Sequence, residues 1–208
     1  MAQVDRLVYN DGVKRAQEPR RGSQRSARDR ILQTAHDLFY GEGVRATGID
    51  RIIEQAEVTK VTFYRHFPSK NDLVAAYLDY RHERWMAWFI DALGRLPRNA
   101  KFPLKPLVSA LKEWFNAPDY RGCAFINGVV ELDGIGPWVA EVSLRHKREM
   151  MNAIADLFPA GKQVAGLARA AAMAVDGAII RMQMEKKPEA ALASLEVILR
   201  ALCEARNA

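Results

Sequence analysis

Apolar residues recur at helical spacing from residue 26 to the end of this 208-residue chain, and no strand-like alternation of useful length interrupts them. Most of the 9 prolines and 13 glycines fall between the helical segments. The chain has an ordinary globular composition, with 49% hydrophobic and 27% charged residues, which excludes wholesale disorder and collagen-like structure. The pattern predicts an all-α protein.

Two helices are predicted before residue 57. The first begins at residue 26 or 27 and ends at Tyr40, before two glycines. Its apolar residues follow the spacing i, i+4, i+7, i+8 and form one stripe of Ile31, Ala35, Leu38 and Phe39. The second helix is predicted to begin after Thr47, where Thr47-x-x-Asp50 matches a capping box with Asp in place of Glu.

A third helix follows almost at once, with Thr59 as its expected N-cap and Pro68 beyond its end. Ser69-x-x-Asp72 is another capping box, and it opens a long fourth helix that runs towards Leu93. Two short helices joined by a short turn, behind a longer helix, predict a helix-turn-helix within a three-helix unit.

The third helix has the composition expected of an element that reads DNA. Between residues 58 and 70 the chain has three basic residues, one histidine and no acid. Val61, Phe63 and Phe67 are expected to form the apolar side of this helix, and the side chains expected to face outwards are Thr59, Lys60, Thr62, Tyr64 and His66. Lys and Thr can reach base edges in a major groove, and Tyr and His can donate hydrogen bonds to phosphate. A solvated polar face is the alternative, and the absence of acids favours DNA contact.

Residues 31–77 resemble the DNA-binding domain of the TetR family of bacterial transcriptional regulators. The shared features are Ala35-x-x-Leu38-Phe39 in the first helix, Ile52-Ile53 with Ala56 in the second, and the run TKVTFYRHFPSK over residues 59–70. A weaker likeness covers residues 120–127, which look like the start of a central helix in the C-terminal domain of many members.

The resemblance implies an all-α homodimer with an N-terminal three-helix helix-turn-helix domain and a six-helix domain for effector binding and dimerisation. It implies that nine residues contact operator DNA: Arg45, Thr47, Thr59, Lys60, Val61, Thr62, Tyr64, His66 and Lys70. Among these, Arg45, Thr47 and Lys70 are expected to touch phosphate. Arg25 and Arg28 are expected to reach the DNA backbone or the minor groove. The phosphate contact expected of Lys70 also has a physical reason, because free backbone N–H groups in the first turn after Ser69 attract anions.

Two residues depart from the family pattern. Glu57 stands in the turn between the second and third helices, where the family usually has Gly. A positive φ at this position would carry a steric cost for Glu. Val61 replaces a frequent Gly near the start of the third helix, where its side chain would either limit the approach to the groove or contact a thymine methyl.

Six helical segments are predicted in the rest of the chain, near residues 70–93, 104–116, 121–132, 137–158, 161–185 and 189–206. The segment 161–185 is rich in Ala and Gly, which permits close helix approach, and 189–206 carries an apolar stripe of Leu195, Ile198, Leu199 and Leu202. With their symmetry mates the two segments would form a four-helix bundle that joins a homodimer. Burial within one chain is the alternative, and both can hold.

Large apolar side chains are spread over five helices that should converge. In most helical domains such side chains form a plain core, whereas the resemblance implies a hollow domain with a ligand pocket. The residues predicted to line that pocket are Trp85, Phe89, Trp114, Cys123, Phe125, Asn127, Met150 and Met173. An apolar or aromatic effector would suit them. Asp176, Arg169 and His146 could set the polarity of the pocket, although such residues more often face solvent or a neighbour.

The net charge of +6 is concentrated near the N-terminus. Residues 1–30 have eight basic and four acidic side chains, and no helical periodicity is seen before residue 24. Such an arm either binds nucleic acid or is a solvated tail. The predicted domains are a basic flexible arm (1–24), a helix-turn-helix domain (25–70) and an effector-binding and dimerisation domain (71–208).

Other features narrow the functional classes. Cys123 and Cys203 are expected to be unpaired thiols in a cytoplasmic protein. The apolar stretch from Val164 to Ile180 contains two charged residues and is too short to span a membrane, and no secretory signal is seen. No metal-ligand spacing, nucleophile elbow or phosphate loop is present, so neither a metal, a cofactor nor an enzymatic activity is expected.

Three hypotheses follow. The leading one is a transcriptional regulator, in most relatives a repressor, that is released from a palindromic operator by a small apolar effector. The second is an enzyme that uses the C-terminal cavity. The third is a nonspecific architectural DNA binder, which needs the basic groups but not the cavity and predicts no sequence preference.

Overall fold

The computed structural model describes residues 25–97, 99–132 and 134–205, so the predicted arm over residues 1–24 lies outside the described part. Within it the chain forms helices joined by turns and contains no strand, which confirms the all-α prediction. The helices are α1 (Ala27–Glu42), α2 (Ile49–Gln55), α3 (Lys60–His66), α4 (Lys70–Gly94), α5 (Lys105–Phe115), α6 (Ala124–Glu131), α7 (Pro137–Ala155), α8 (Val164–Glu185) and α9 (Pro188–Ala205).

The described residues divide into two compact units. The first unit contains residues 25–84, 123–132 and 134–143, and therefore holds α1–α3, most of α4, α6 and the start of α7. The second unit contains residues 85–97, 99–122 and 144–205, and holds the end of α4, α5, most of α7, α8 and α9. The predicted boundary at residue 70 is a division by function and stays a prediction.

The three N-terminal helices form at the predicted places, except that α1 continues through Gly41 and ends at Glu42 instead of Tyr40. The Ser26 hydroxyl accepts a hydrogen bond from the Asp29 N–H at 3.1 Å, which caps α1, and the predicted apolar stripe of α1 is buried. The Thr59 hydroxyl accepts from the Thr62 N–H at 3.1 Å and caps α3. Phe63, the centre of the apolar side of α3, is fully buried. α3 packs against both α1 and α2.

The predicted capping box at the start of α2 is wrong. The N-cap of α2 is Gly48, which has no side chain to cap the helix. Thr47 is fully buried, and its hydroxyl donates to the Gly43 carbonyl at 2.8 Å. The hydroxyl therefore closes the turn between α1 and α2, because a fully buried hydroxyl needs a hydrogen-bond partner and Gly43 offers one four residues away.

The turn between α2 and α3 has a positive φ at Glu57, the conformation that carries a steric cost for a residue other than Gly. Glu57 has a φ of +53°, in the left-handed region that favours glycine. The Arg30 guanidinium of α1 holds this turn from the side, donating to the Ala56 carbonyl at 3.1 Å and to the Glu57 carbonyl at 3.3 Å. Arg30 thus binds carbonyl groups at the end of α2, which helical periodicity alone did not indicate.

We expect the substitution Glu57→Gly to raise the unfolding free energy by about 0.5–1 kcal/mol, since a left-handed conformation costs a non-glycine residue about 1–2 kcal/mol and part of that is offset by the greater chain entropy of Gly. Urea unfolding followed by circular dichroism measures the change. Glu54→Gly is the matched control, because Glu54 lies inside α2 and the same replacement there should destabilise the protein. A loss of stability in Glu57→Gly would contradict the strain argument.

A buried polar cluster joins α1 to α4 inside the first unit. His36 Nδ1 lies 2.9 Å from the Asp37 carboxylate, and its Nε2 lies 3.4 Å from the buried Arg81 guanidinium. Arg81 also stacks over the Tyr40 ring at 3.8 Å. Burial lowers the pKa of His36, the Arg81 and Arg84 charges lower it further, and Asp37 opposes them.

We expect acidification to destabilise the first unit through His36. The pKa of His36 is lower in the folded chain than in the unfolded one, so the unfolded chain binds more protons as the pH falls below about 6.5, and folding stability declines there. Urea unfolding at pH values of about 7.5 and 5.5 tests this. His36→Gln should show a smaller decline between the two pH values than the parent protein. Equal declines would show that other groups cause the effect.

The second unit has an aromatic core. Trp85 stacks on Phe89 with ring centroids 4.6 Å apart, and Trp114 meets Trp85 edge-on at 5.3 Å. α8 packs along α9 through buried small and branched residues, among them Ala171, Val175 and Leu199. In the described residues no helix has the length and apolar character that crossing a bilayer requires.

Candidate DNA-binding interface and ligand residues

The exposed surface of α3 is basic and partly apolar. Lys60 and Arg65 are exposed, Val61 is 78% exposed and Tyr64 is 41% exposed. Tyr64 is supported from behind by the buried Phe63, whose ring meets it edge-on at 5.3 Å. Lys60 Nζ lies 3.5 Å from the Asp50 carboxylate, a solvent-exposed pair that contributes little to stability and leaves the ammonium accessible. This face offers donors and a methyl-bearing side chain on one short helix, as major-groove readout requires.

The other residues of α3 predicted to contact DNA are partly buried or have hydroxyls bonded within the protein. The Thr59 hydroxyl is the helix cap and lies 2.9 Å from the Thr62 hydroxyl. Thr62 and His66 are half-buried. Lys60, Val61 and Tyr64 therefore make up the outward part of the predicted DNA surface, and the Thr59 and Thr62 hydroxyls already have an internal partner. Arg65 is an exposed cation on α3 that the sequence prediction left out.

The predicted phosphate-contacting residues lie at two helix starts of the first unit. Arg45 is exposed in the turn before α2, and Lys70 is half-buried at the first position of α4. Burial lowers the pKa of Lys70, while the nearby Glu131 carboxylate acts in the opposite direction. The Ser69 hydroxyl caps α4 by accepting from the Asp72 N–H at 3.2 Å, as predicted. Thr47, predicted to touch phosphate, instead has its hydroxyl bonded inside the protein.

The two arginines predicted to reach the DNA from the arm lie at the start of α1. Arg25 is exposed, and its carbonyl accepts from the Arg30 guanidinium at 3.2 Å. The Arg28 guanidinium lies over the Phe67 ring at 5.3 Å from the centroid, next to the end of α3. Arg28 therefore adds a positive charge beside the α3 surface within the same unit.

Four of the predicted pocket residues fall in the second unit and are buried there: Trp85, Phe89, Trp114 and Met150. The first three form the aromatic core, and the buried His146 ring meets Trp85 at 4.9 Å. The indole N–H of Trp85 is buried and has no hydrogen-bond partner among the described residues. Such a donor is costly to leave unmatched in a core.

The remaining predicted pocket residues divide between the units. Cys123 and Phe125 are buried in the first unit at the start of α6, and Asn127 is half-buried there. Met173 is 69% exposed on α8, so the structure places it on the surface of the second unit instead of in its core. Of the predicted polar residues, Asp176 forms an ion pair with Lys147, whose ammonium donates to the carboxylate at 2.5 Å, and Arg169 is exposed.

The exposed face of α8 explains the position of Met173. Met173, Gly177, Ile180 and Met184 follow the spacing i, i+4, i+7, i+11 and form one solvent-facing stripe on α8. Beside it, α8 and α9 border a groove of about 460 Å³ that includes Ala174, Gly177 and Ile198, and Ile198 is 48% exposed. The helices thus have one face buried within the chain and a second apolar face in solvent.

Metal chemistry has no candidate in the described ranges. Among residues 25–97, 99–132 and 134–205, no group of three or more His, Cys, Asp and Glu side chains is arranged to hold a metal ion. The four histidines lie in separate surroundings, and His36, His82 and His146 are buried.

Comparison with known proteins follows the same division of the chain. The family model described as "Bacterial regulatory proteins, tetR family" matches residues 31–77. An HTH-type transcriptional regulator of Lactococcus lactis subsp. lactis is 28% identical over 116 residues, which are 53% of this chain and 57% of that protein. The HTH-type transcriptional repressor KstR2 of Mycolicibacterium smegmatis is 28% identical over 96 residues, 46% of this chain and 45% of that protein. The chain spans about half the length of these curated relatives.

The similarity to a solved structure extends over nearly the whole chain. A TetR-family transcriptional regulator from Streptomyces coelicolor is 30% identical, with a TM-score of 0.77, over 88% of this chain and 90% of that one. Both the helix-turn-helix and the following helices are therefore included in the likeness. With this identity and coverage, the chain belongs to the TetR family of bacterial transcriptional regulators.

Proposed function

We propose that this protein is a sequence-specific transcriptional repressor that binds a palindromic operator as a homodimer and is released from it by a small, largely apolar effector. The observation that carries the proposal is the outward face of α3, where Lys60, Val61 and Tyr64 are exposed together on a helix without acids. The Lys60 ammonium and the Tyr64 hydroxyl can donate to bases and phosphates, and Val61 can contact a thymine methyl. The family to which the chain belongs supports the same reading.

Homodimerisation is proposed through α8 and α9. The stripe on α8 exposes two methionines, Met173 at 69% and Met184 at 72%, and α9 exposes Val197 at 69%. A second copy of the chain would cover this apolar surface with the same surface by two-fold symmetry. The small residues Ala174 and Gly177 permit the two copies of α8 to approach closely. Two copies of α3 would then read half-sites about 34–36 Å apart.

The effector is proposed to bind among the aromatic residues of the second unit. Trp85, Phe89 and Trp114 supply flat apolar surface, and the unmatched indole N–H of Trp85 would donate to an acceptor atom of the effector. Effector and operator would then weaken the binding of each other by the same factor. We propose no catalytic activity for the chain.

The experiment that tests this function is selection of bound duplexes from a random DNA pool at about physiological salt, about 0.15 M. We expect the full chain to enrich a palindromic sequence. Recovery of duplexes without a shared sequence would instead identify a nonspecific architectural binder, because that class depends on phosphate contacts alone. Enrichment of a single, non-repeated half-site would retain sequence recognition and contradict the dimer.

A further inference from the structure

The turn between α1 and α2 is held from outside the helix-turn-helix. Glu131, the last residue of α6, accepts a hydrogen bond from the Arg45 N–H through its Oε1 at 2.5 Å. Both residues lie in the first unit. Because the bond joins a charged acceptor to a backbone donor 86 residues away, it fixes the position of the turn relative to α6.

The shape of the turn is adapted to this carboxylate. Gly43 has a φ of +97°, and a Cβ atom at this position would lie 3.1 Å from Glu131 Oε1. A side chain there would therefore be strained in its backbone and crowded against the carboxylate. The Gly43 N–H is bonded to the Phe39 carbonyl at 3.0 Å, and its carbonyl accepts from Thr47. The turn is thus fixed at its start, middle and end.

Glu131 also acts on the start of α4. Burial lowers the pKa of Lys70, and the negative charge of Glu131 opposes this effect. Arg45 and Lys70 are two of the residues outside α3 that are predicted to contact phosphate. The carboxylate bonded to the Arg45 N–H thus also acts electrostatically on Lys70. It belongs to the helix that begins at the predicted ligand residues Cys123, Phe125 and Asn127.

We propose that Glu131 is a positioning residue that couples α6 directly to the α1–α2 turn. α6 is a helix of eight residues with Glu131 at its end, so a displacement of α6 would move Arg45 without a change in α3 itself. The inference rests on the proposed function, since it assigns a route between the ligand residues and the DNA surface. It differs from a route through α4 alone, because the hydrogen bond acts on the turn before α2.

The test measures amide hydrogen exchange by NMR in the full chain, first without DNA. In Glu131→Ala we expect the Arg45 amide to exchange about tenfold faster, the effect of losing one hydrogen bond to a charged group. Glu131→Gln should restore most of the protection, because its side-chain carbonyl still accepts. Glu141→Ala removes the same charge from an exposed site of the same unit and should leave the Arg45 amide unchanged.

The second part adds the duplex selected by the unaltered protein. Binding should slow exchange of the amides of residues 127–132 at the end of α6, and Glu131→Ala, at the same occupancy of duplex, should lose this response. A response that persists in Glu131→Ala, or is absent in the unaltered protein bound to its duplex, overturns the inference alone. If the unaltered protein selects no duplex, the proposed function fails and the inference fails with it.

Discussion

Replacing Lys60 and Tyr64 together with alanine should weaken binding to the selected operator by about 100-fold or more. Both side chains are exposed on α3, and one good base contact contributes about 1–3 kcal/mol, with each 1.4 kcal/mol equal to a factor of ten. A homodimer loses both side chains twice, so the expected effect lies at the upper end. Fluorescence anisotropy with a labelled duplex at fixed salt measures it.

The controls separate reading from simple loss of charge. Lys162→Ala removes one exposed positive charge from the second unit and should change operator affinity by less than about threefold, since distant surface charges are largely screened at physiological salt. The thermal unfolding of the double variant should match that of the parent, because both side chains are substantially exposed. A double variant that binds the operator as tightly as the parent would show that α3 does not read the DNA.

Ile198→Glu should convert the proposed homodimer to a monomer at micromolar concentration. Ile198 borders the groove between α8 and α9 and is 48% exposed in one chain, so a carboxylate there is tolerated by the isolated subunit. In a two-fold interface the change occurs twice, and each carboxylate would be taken from water without a partner of opposite charge. Dimer dissociation should become about 100-fold easier or more, since burying one unpaired charge costs several kcal/mol.

Sedimentation velocity measures the oligomeric state, and circular dichroism establishes that the monomer is folded. Val130→Glu is the matched control, because Val130 is a 78% exposed apolar residue at the end of α6, outside the proposed interface, and should leave the dimer intact. If Ile198→Glu remained dimeric while Val130→Glu did not, the interface would have to lie on the first unit. We also expect Ile198→Glu to lose operator affinity, because a monomer contacts only one half-site at a time.

The sequence was sufficient for the helices and the family. Local signals decide helix ends: the Ser26, Thr59 and Ser69 hydroxyls cap α1, α3 and α4, and prolines or glycines separate most later helices. The positive φ that the pattern implied at Glu57 is present. The outward direction of Lys60 and Tyr64 also followed from helical periodicity, which places Phe63 and Phe67 on the opposite, buried side. Val61 was predicted on that apolar side and is instead 78% exposed.

Long-range contacts could not be predicted from helix caps and periodicity. Thr47 has the position of a helix cap, yet the burial of the turn directs its hydroxyl to the Gly43 carbonyl. Met173 is an apolar residue on an apolar helix, and periodicity cannot say which of two apolar faces of α8 is covered by its own chain. Arg30 bonds to the turn after α2 from 26 residues away, a pairing that depends on how α1 lies against α2.

By itself, then, the sequence determined the helical class, the helix-turn-helix and the family of this protein, because these follow from periodicity, caps and residue types over short stretches. The tertiary structure alone decided the contact between Glu131 and Arg45 and the solvent-facing stripe of α8. Both depend on distances between residues far apart in the chain, and such distances are set by packing, which no local pattern encodes.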